Sequence, residues 1–351
     1  MSAKQSSKAA PRGFDKDLAQ LEALSAAMNS GAKPDTAQVQ YLRSALTQHN
    51  NFLVSKAAKL IAEAELTALL PDVLTAYDRF FIDPVKTDPK CWAKEALARA
   101  LVKLEHRAKD AYLRGMRHHQ MEGSFGPPVD SAGGLRSICA HALVDCPGIS
   151  DADLLAALLE PLTDTDKAVR VEAARAIAAV GGISAALLLR LRVMLGPGSE
   201  DNLNVEVLGA VYSALLSLEG ERAIPLVSAV MDDGGELGAE AAYALADLRT
   251  PEALAPLIDR HRTGLDHHSA VWFSSVLLSA IALTRLPAAF DYLTGLISSD
   301  GRGASNAIES IGRIAPNAEL YARVQQAVDQ AGNPRLAQAF RQHVATPPTQ
   351  T

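Results

Sequence analysis

Aromatic residues make up only 5% of this 351-residue chain, and its cysteines are just three, Cys91, Cys139 and Cys146. An odd number of cysteines with no CxxC pair argues against a disulfide framework or a zinc module. Free thiols, buried or half-buried in a reducing cytoplasm, are the remaining reading. There is no sustained alternation of period two, so the sequence gives no support for strands. The longest apolar run, Ala270 to Leu283, contains three serines. It falls short of the roughly 20 residues that span a bilayer, and reads instead as a buried inner helix. GxSxG, HExxH, phosphate-loop and dinucleotide signatures are absent, and no catalytic residue is assigned.

The net charge of −6 argues against a dedicated nucleic-acid binder, whose domain would be clearly basic. That average hides an asymmetry. Basic residues dominate from Lys90 to Arg117, whereas the stretch from Glu200 to Asp259 is mostly acidic, with Arg222 and Arg249 its only cations. Ends of opposite sign could orient an elongated partner or stack copies head to tail.

What the chain has in quantity is one recurring helix. Eight stretches align on the apolar residues Ile61, Leu101, Leu143, Ile177, Leu215, Leu245, Ile281 and Ile311. Their separations, about 30 to about 42 residues, are those of helical-pair repeats. Small residues three and four places before each of these anchors, with an apolar residue often three after it, make one helical face. Ala173, Ala174, Ile177 and Val180 show this clearly, as do Ala241, Ala242, Leu245 and Leu248. A helix of this kind cannot bury its face alone, so stacked pairs build a continuous core. Glycines at 181, 182, 220, 234 and 235 stop helices, and Asp164 and Asp166 precede the next helix as caps. The expected fold is all-α, a solenoid of about eight helical pairs. It occupies one domain over 15–344, with a polar head at 1–14 and a polar tail at 345–351, both expected to be disordered; the head has no apolar core and is not a secretory signal.

The segment LLEPLTDTDKAVRVEAARAIAAVG, with Pro161, Asp164, Asp166, Val169 and Arg170, resembles the HEAT repeat. Fainter copies carry Pro225 with Asp232, and Pro256. The resemblance covers roughly residues 37 to 330 and is specific in one or two repeats. It implies a right-handed superhelix, first helices outside and second helices lining the inner face, with Arg170 tied to the turn aspartates Asp164 or Asp166. It implies no reaction.

Residues two before each anchor should edge the buried stripe and look into the groove. Lys59, Arg99, His141 and Arg175 are basic or potentially so; Ser213, Tyr243, Ser279 and Glu309 are not. A groove whose first half attracts an acidic segment or phosphate is expected, with Arg99 and Arg175 as forked donors suited to carboxylate or phosphate. Lys59, His141, Tyr243 and Phe125 complete the candidate partner-binding set. Phe125 lies in a long inter-repeat connection, 115–137, rich in Gly, Pro and Ser, where it could present an apolar tip or merely pack on a neighbouring repeat. His118, His119 and Glu122 beside it invite a metal reading, but their spacing alone is weak and no metal or cofactor is assigned.

The function read from this pattern is a non-catalytic, cytoplasmic, bacterial-type scaffold or adaptor that binds a protein or peptide segment, with its oligomeric state open. The alternative is a HEAT-fold enzyme or chaperone-like lyase acting on a nucleic acid or tetrapyrrole. The deoxyhypusine hydroxylase pattern fails because the chain has no His-Glu dipeptide. The alkylpurine glycosylase pattern is limited by having only Trp92 and Trp272; Trp92 is expected within a core-forming helix.

Overall fold

The computed structural model describes residues 13–124, 126–197, 205–264 and 270–344. Apart from one two-stranded ribbon, the elements among these residues are helices. The chain groups into two compact units, 1–176 and 177–351. Solenoid repeats touch only their neighbours, so no long-range core holds distant repeats in one body.

The first unit contains α1 (Gly13–Asn29), α2 (Thr36–Leu46), α3 (Asn51–Glu63), α4 (Leu70–Arg79), the single turn α5 (Pro84–Thr87), α6 (Trp92–Lys103), α7 (Lys109–Met116), α8 (Gly133–Ala142) and α9 (Asp151–Leu162). Helix α10 (Lys167–Val180) contains the unit boundary. The helix α1 takes in Gly13 and Phe14, two residues that composition placed in the head. In the second unit follow α11 (Gly182–Leu195), α12 (Val205–Glu219), α13 (Ile224–Ala229), α14 (Glu236–Leu248), α15 (Pro251–Thr263), α16 (Ala270–Leu283), α17 (Pro287–Ser298), α18 (Ala304–Arg313), α19 (Ala318–Ala331) and α20 (Pro334–His343).

Two layers run through each unit. Second helices pack in succession, α3 on α6 on α8 in the first unit and α12 on α14 on α16 on α18 on α20 in the second. First helices α13, α15, α17 and α19 form the other layer of the second unit. All eight sequence anchors are fully buried. Burial of a Leu or Ile side chain stabilises by about 1.5–3 kcal/mol, so within each unit these residues form the core. The pair α19–α20 is a ninth that the anchors do not reach. Helix α16 is buried along most of its length, but Val271 and Trp272 at its start are exposed.

Arginines bridge one repeat to the next. Arg79 donates to the carbonyls of Leu46, Thr47 and Gln48 at 2.8–3.1 Å, closing the open end of α2. Arg260 does the same for Met231 and Asp232, and Arg285 for Ile314. These donors satisfy the orphan carbonyls that every helix C-terminus leaves.

The long connection departs from expectation. Helix α7 runs on to Met116 and α8 begins at Gly133, so only 117–132 lies between helices. Within it β1 (Met121–Ser124) and β2 (Gly126–Asp130) form an antiparallel ribbon with a register irregularity between Glu122 and Ser124. Two prolines and a glycine in GPPVD hide this strand from any propensity argument. Side-chain bonds hold the ribbon instead.

Candidate functional site

Three second helices of the first unit, with the start of α10, enclose two adjoining open grooves. One, of about 610 Å³, lies between α3 and α6 and is lined by Lys56, Lys59, Glu63, Trp92, Glu95 and Arg99. The other, of about 620 Å³, lies between α6, α8 and α10 and is lined by Arg99, Lys103, Ile138, His141 and Glu172 among others. Arg99 borders both. The rule that placed residues two before each anchor at the groove edge therefore brings Lys59, Arg99 and His141 together, all exposed. Arg175 stands one turn beyond Glu172 on α10, also exposed. Tyr243 is half-buried on α14, in the second unit. Phe125 lies outside the described residues, as do His267, His268, the tail 345–351 and residues 1–12 of the head.

Carboxylates accompany this basic row. Arg99 bonds Glu95 at 2.8 Å and Lys59 pairs with Glu63 at 3.7 Å, both one helical turn away. Glu172 accepts from Arg175 at 2.5 Å and lies 3.9 Å from His141 Nδ1. Exposed pairs of this kind contribute little to stability, about 0–1 kcal/mol each. The cations are exposed and weakly paired, and so open to exchange for an incoming carboxylate.

An aromatic row edges the first groove. Phe14, Phe52 and Trp92 follow one another with ring centroids 6.4 and 5.9 Å apart, and Lys56 and Lys90 sit 5.4 Å from the Phe52 and Trp92 rings. Trp92 begins the core-forming helix α6, as expected, while the residue itself is 45% exposed.

Behind the grooves lies a buried polar network that sequence reasoning missed. Asp88 and Lys94 form an ion pair at 2.9 Å with both side chains wholly buried. Asp88 also accepts the backbone N–H groups of Ala93 and Lys94, capping α6, and the amide of Asn51. Lys94 Nζ donates to the Phe80 carbonyl at 3.3 Å. Gln120 donates to the Asp88 carbonyl, and Glu122 accepts from Gln120, Ser131 and the Lys90 amide. Asp130 receives Arg136 at 2.7 Å, and Arg136 makes a forked pair with Asp164 at 2.7 and 3.0 Å. The ribbon thereby ties α3, α6 and α8 to the turn before α10.

Arg170 is tied to the turn at Asp164, as expected, but through backbone rather than carboxylate oxygens. Its guanidinium donates to the backbone carbonyls of Asp164 and Thr165, because buried Arg136 occupies the Asp164 carboxylate. His118, His119 and Glu122 are each engaged by protein groups, His118 and Glu122 through the same Gln120. His118 Nε2 meets Gln120 and its ring stands on Phe81, His119 Nδ1 meets Asp130, and Glu122 is engaged as above. Burial holds the His118 pKa below its ordinary value. Among the described residues no cluster of three His, Cys, Asp or Glu groups suits a metal ion. The three cysteines are buried and unpaired. Burial pushes the Cys91 and Cys139 thiols up to about 12, far from a nucleophilic thiolate.

The second unit holds a smaller cavity, about 250 Å³, with an apolar floor of Phe273, Leu277 and Leu296. His261 at its wall bonds the Tyr292 hydroxyl at 2.6 Å. Among the described residues, no helix is long and apolar enough to cross a membrane.

No protein-family model matches the chain, and no curated protein matches it significantly. Among solved structures it is similar to the karyopherin Kap121p, in its crystal structure bound to the SUMO protease Ulp1p. The two are 13% identical, the match covers 95% of this chain and 45% of that one, and the TM-score is 0.41. This chain spans less than half the length of that karyopherin.

Proposed function

We propose that this chain is a HEAT-type repeat protein that acts as a non-catalytic scaffold or adaptor, binding a segment of another protein along the inner face of its first unit. The observation that supports this is the pair of adjoining grooves that share Arg99. Stacked helices preorganise such a surface, so little conformational entropy is lost when a partner docks. Trp92 and Ile138 supply apolar contact, the anchors of a typical interface. Lys59, Arg99, His141 and Arg175 orient a partner bearing acidic residues, which exchange with Glu63, Glu95 and Glu172 for the same cations. Three unpaired buried thiols suit a reducing compartment, and the cytoplasm is the one we assign.

The test is affinity capture from native lysate with wild type beside Arg99→Glu/Arg175→Glu, with circular dichroism to establish that both fold. The expected result is a specific protein retained by wild type and lost by the double variant. Retention unaffected by the variant would refute the groove. Capture of nucleic acid in place of protein, with a steep salt dependence, would favour the nucleic-acid reading instead.

A further inference from the structure

Helix α11 is apolar on both sides. Its inner side buries Ala185, Ala186, Leu189 and Val193 against its own unit. Its outer side carries Ile183, Leu187, Leu191, Met194 and Leu195, each between 54% and 81% exposed. Five of the sixteen large apolar side chains that are exposed among the described residues therefore lie on one helix of fourteen. At these exposures they present about 600 Å² of contiguous apolar surface, the upper end of what a monomer ordinarily leaves in water.

That face carries no charge. The two arginines of α11 fold back onto the protein, Arg190 onto Glu219 at 2.9 Å and the Arg222 carbonyl, Arg192 onto the Gly196 carbonyl at 2.6 Å. A partner chosen by electrostatics has nothing to read here. The spacing is also symmetric about position 189. An antiparallel copy of the same helix sets Ile183 opposite Leu195 and Leu187 opposite Leu191. Ser184 then falls opposite Met194, and the terminal glycines Gly182 and Gly196 fall opposite each other. A stripe that reads the same in both directions is what an isologous two-fold contact requires, since one patch must complement itself.

We infer that the exposed face of α11 is the contact of a homodimer, in which the α11 helices of two copies pack antiparallel about a two-fold axis at the level of residue 189. Two such faces bury about 1,200 Å² in total, the lower end of a stable interface, so the dimer should be reversible and concentration-dependent. It lies in the second unit and leaves the grooves around Arg99 to another protein.

Sedimentation of the full chain from 0.5 to about 100 μM tests this. The weight-average mass should climb from 37.2 kDa towards twice that value. Leu187→Glu/Leu191→Glu should stay at the monomer mass throughout with an unchanged circular dichroism spectrum, because both positions are exposed. A wild type that remains monomeric across the range, or a double variant that still doubles in mass, would overturn the proposal. Register is read separately by oxidation. A mixture of Leu187→Cys and Leu191→Cys proteins should cross-link several-fold faster than either alone, and equal or slower cross-linking in the mixture would overturn the antiparallel arrangement.

Discussion

Asp88 and Lys94 pair at 2.9 Å with no exposure of either side chain, and the same carboxylate caps the helix on which the lysine sits. Removing one member of a buried pair strands the other. Asp88→Ala leaves the ammonium with the Phe80 carbonyl and the Phe81 ring, and should cost about 3–5 kcal/mol. Lys94→Met should cost less, because the carboxylate keeps Asn51 and two backbone donors. Urea unfolding of the two variants gives this order directly; a larger loss in Lys94→Met would contradict it.

Asp130 carries a pH dependence. Burial alone would raise its pKa, but the Gln120 and Ala132 amides, His119 and Arg136 together hold it well below the usual carboxylate range. A group depressed on folding contributes stability that is fully present above its unfolded pKa, about 3.9, and lost as pH falls through the folded value. Asp130→Asn should therefore destabilise most at neutral pH. Its deficit relative to wild type should shrink steadily below about pH 4, as urea midpoints between pH 6 and 2.5 would show.

Gly115 on α7 is where two repeats approach most closely around buried Tyr77. A methyl group there would overlap the Tyr77 hydroxyl and Cys139 Sγ. Gly115→Ala gains helix propensity of about 1 kcal/mol, yet overpacking of a buried contact costs about 1–3 kcal/mol. Net destabilisation is expected, and Tyr77→Phe in the same chain should relieve part of it. A stabilised Gly115→Ala, read by thermal unfolding, would show that α7 can move away.

The thiols should be silent in the folded state. With Cys91 and Cys139 raised to about 12 and Cys146 also raised by burial, a thiol reagent at pH 8 should label none of the three quickly. The unfolded chain should label at three positions. Fast labelling of one site in native protein would mark a local opening.

The sequence made the repeat legible because core positions recur with one period; each of the eight anchors is wholly buried. Lys59, Arg99 and His141, picked out by the same period, line the two grooves. The carboxylate partners of Lys59 and Arg99, one turn away, are also readable from i to i+4 spacing, whereas Glu172 beside His141 comes from the next repeat. Other features depend on contacts across repeats that no local pattern records. Arg136 looks like any helical arginine until the fold sets Asp130 and Asp164 beside it. The ribbon at 121–130 is held by side chains rather than by strand-forming residues, so its sequence reads as a loop. The outer stripe of α11 was visible in ISAALLLRLRVML, but only the structure shows which of its two apolar sides the core takes.

The most direct test of the groove is site-specific photo-crosslinking in native lysate, with a photoreactive residue at Ala96 in the first groove, at Ile138 in the second, and at exposed Thr75 on α4 as a control. Binding along the inner face predicts that one and the same protein is trapped at positions 96 and 138, not at 75, and that Arg99→Glu abolishes both adducts. Adducts at 75 alone, or equal adducts at all three positions that survive Arg99→Glu, would contradict it.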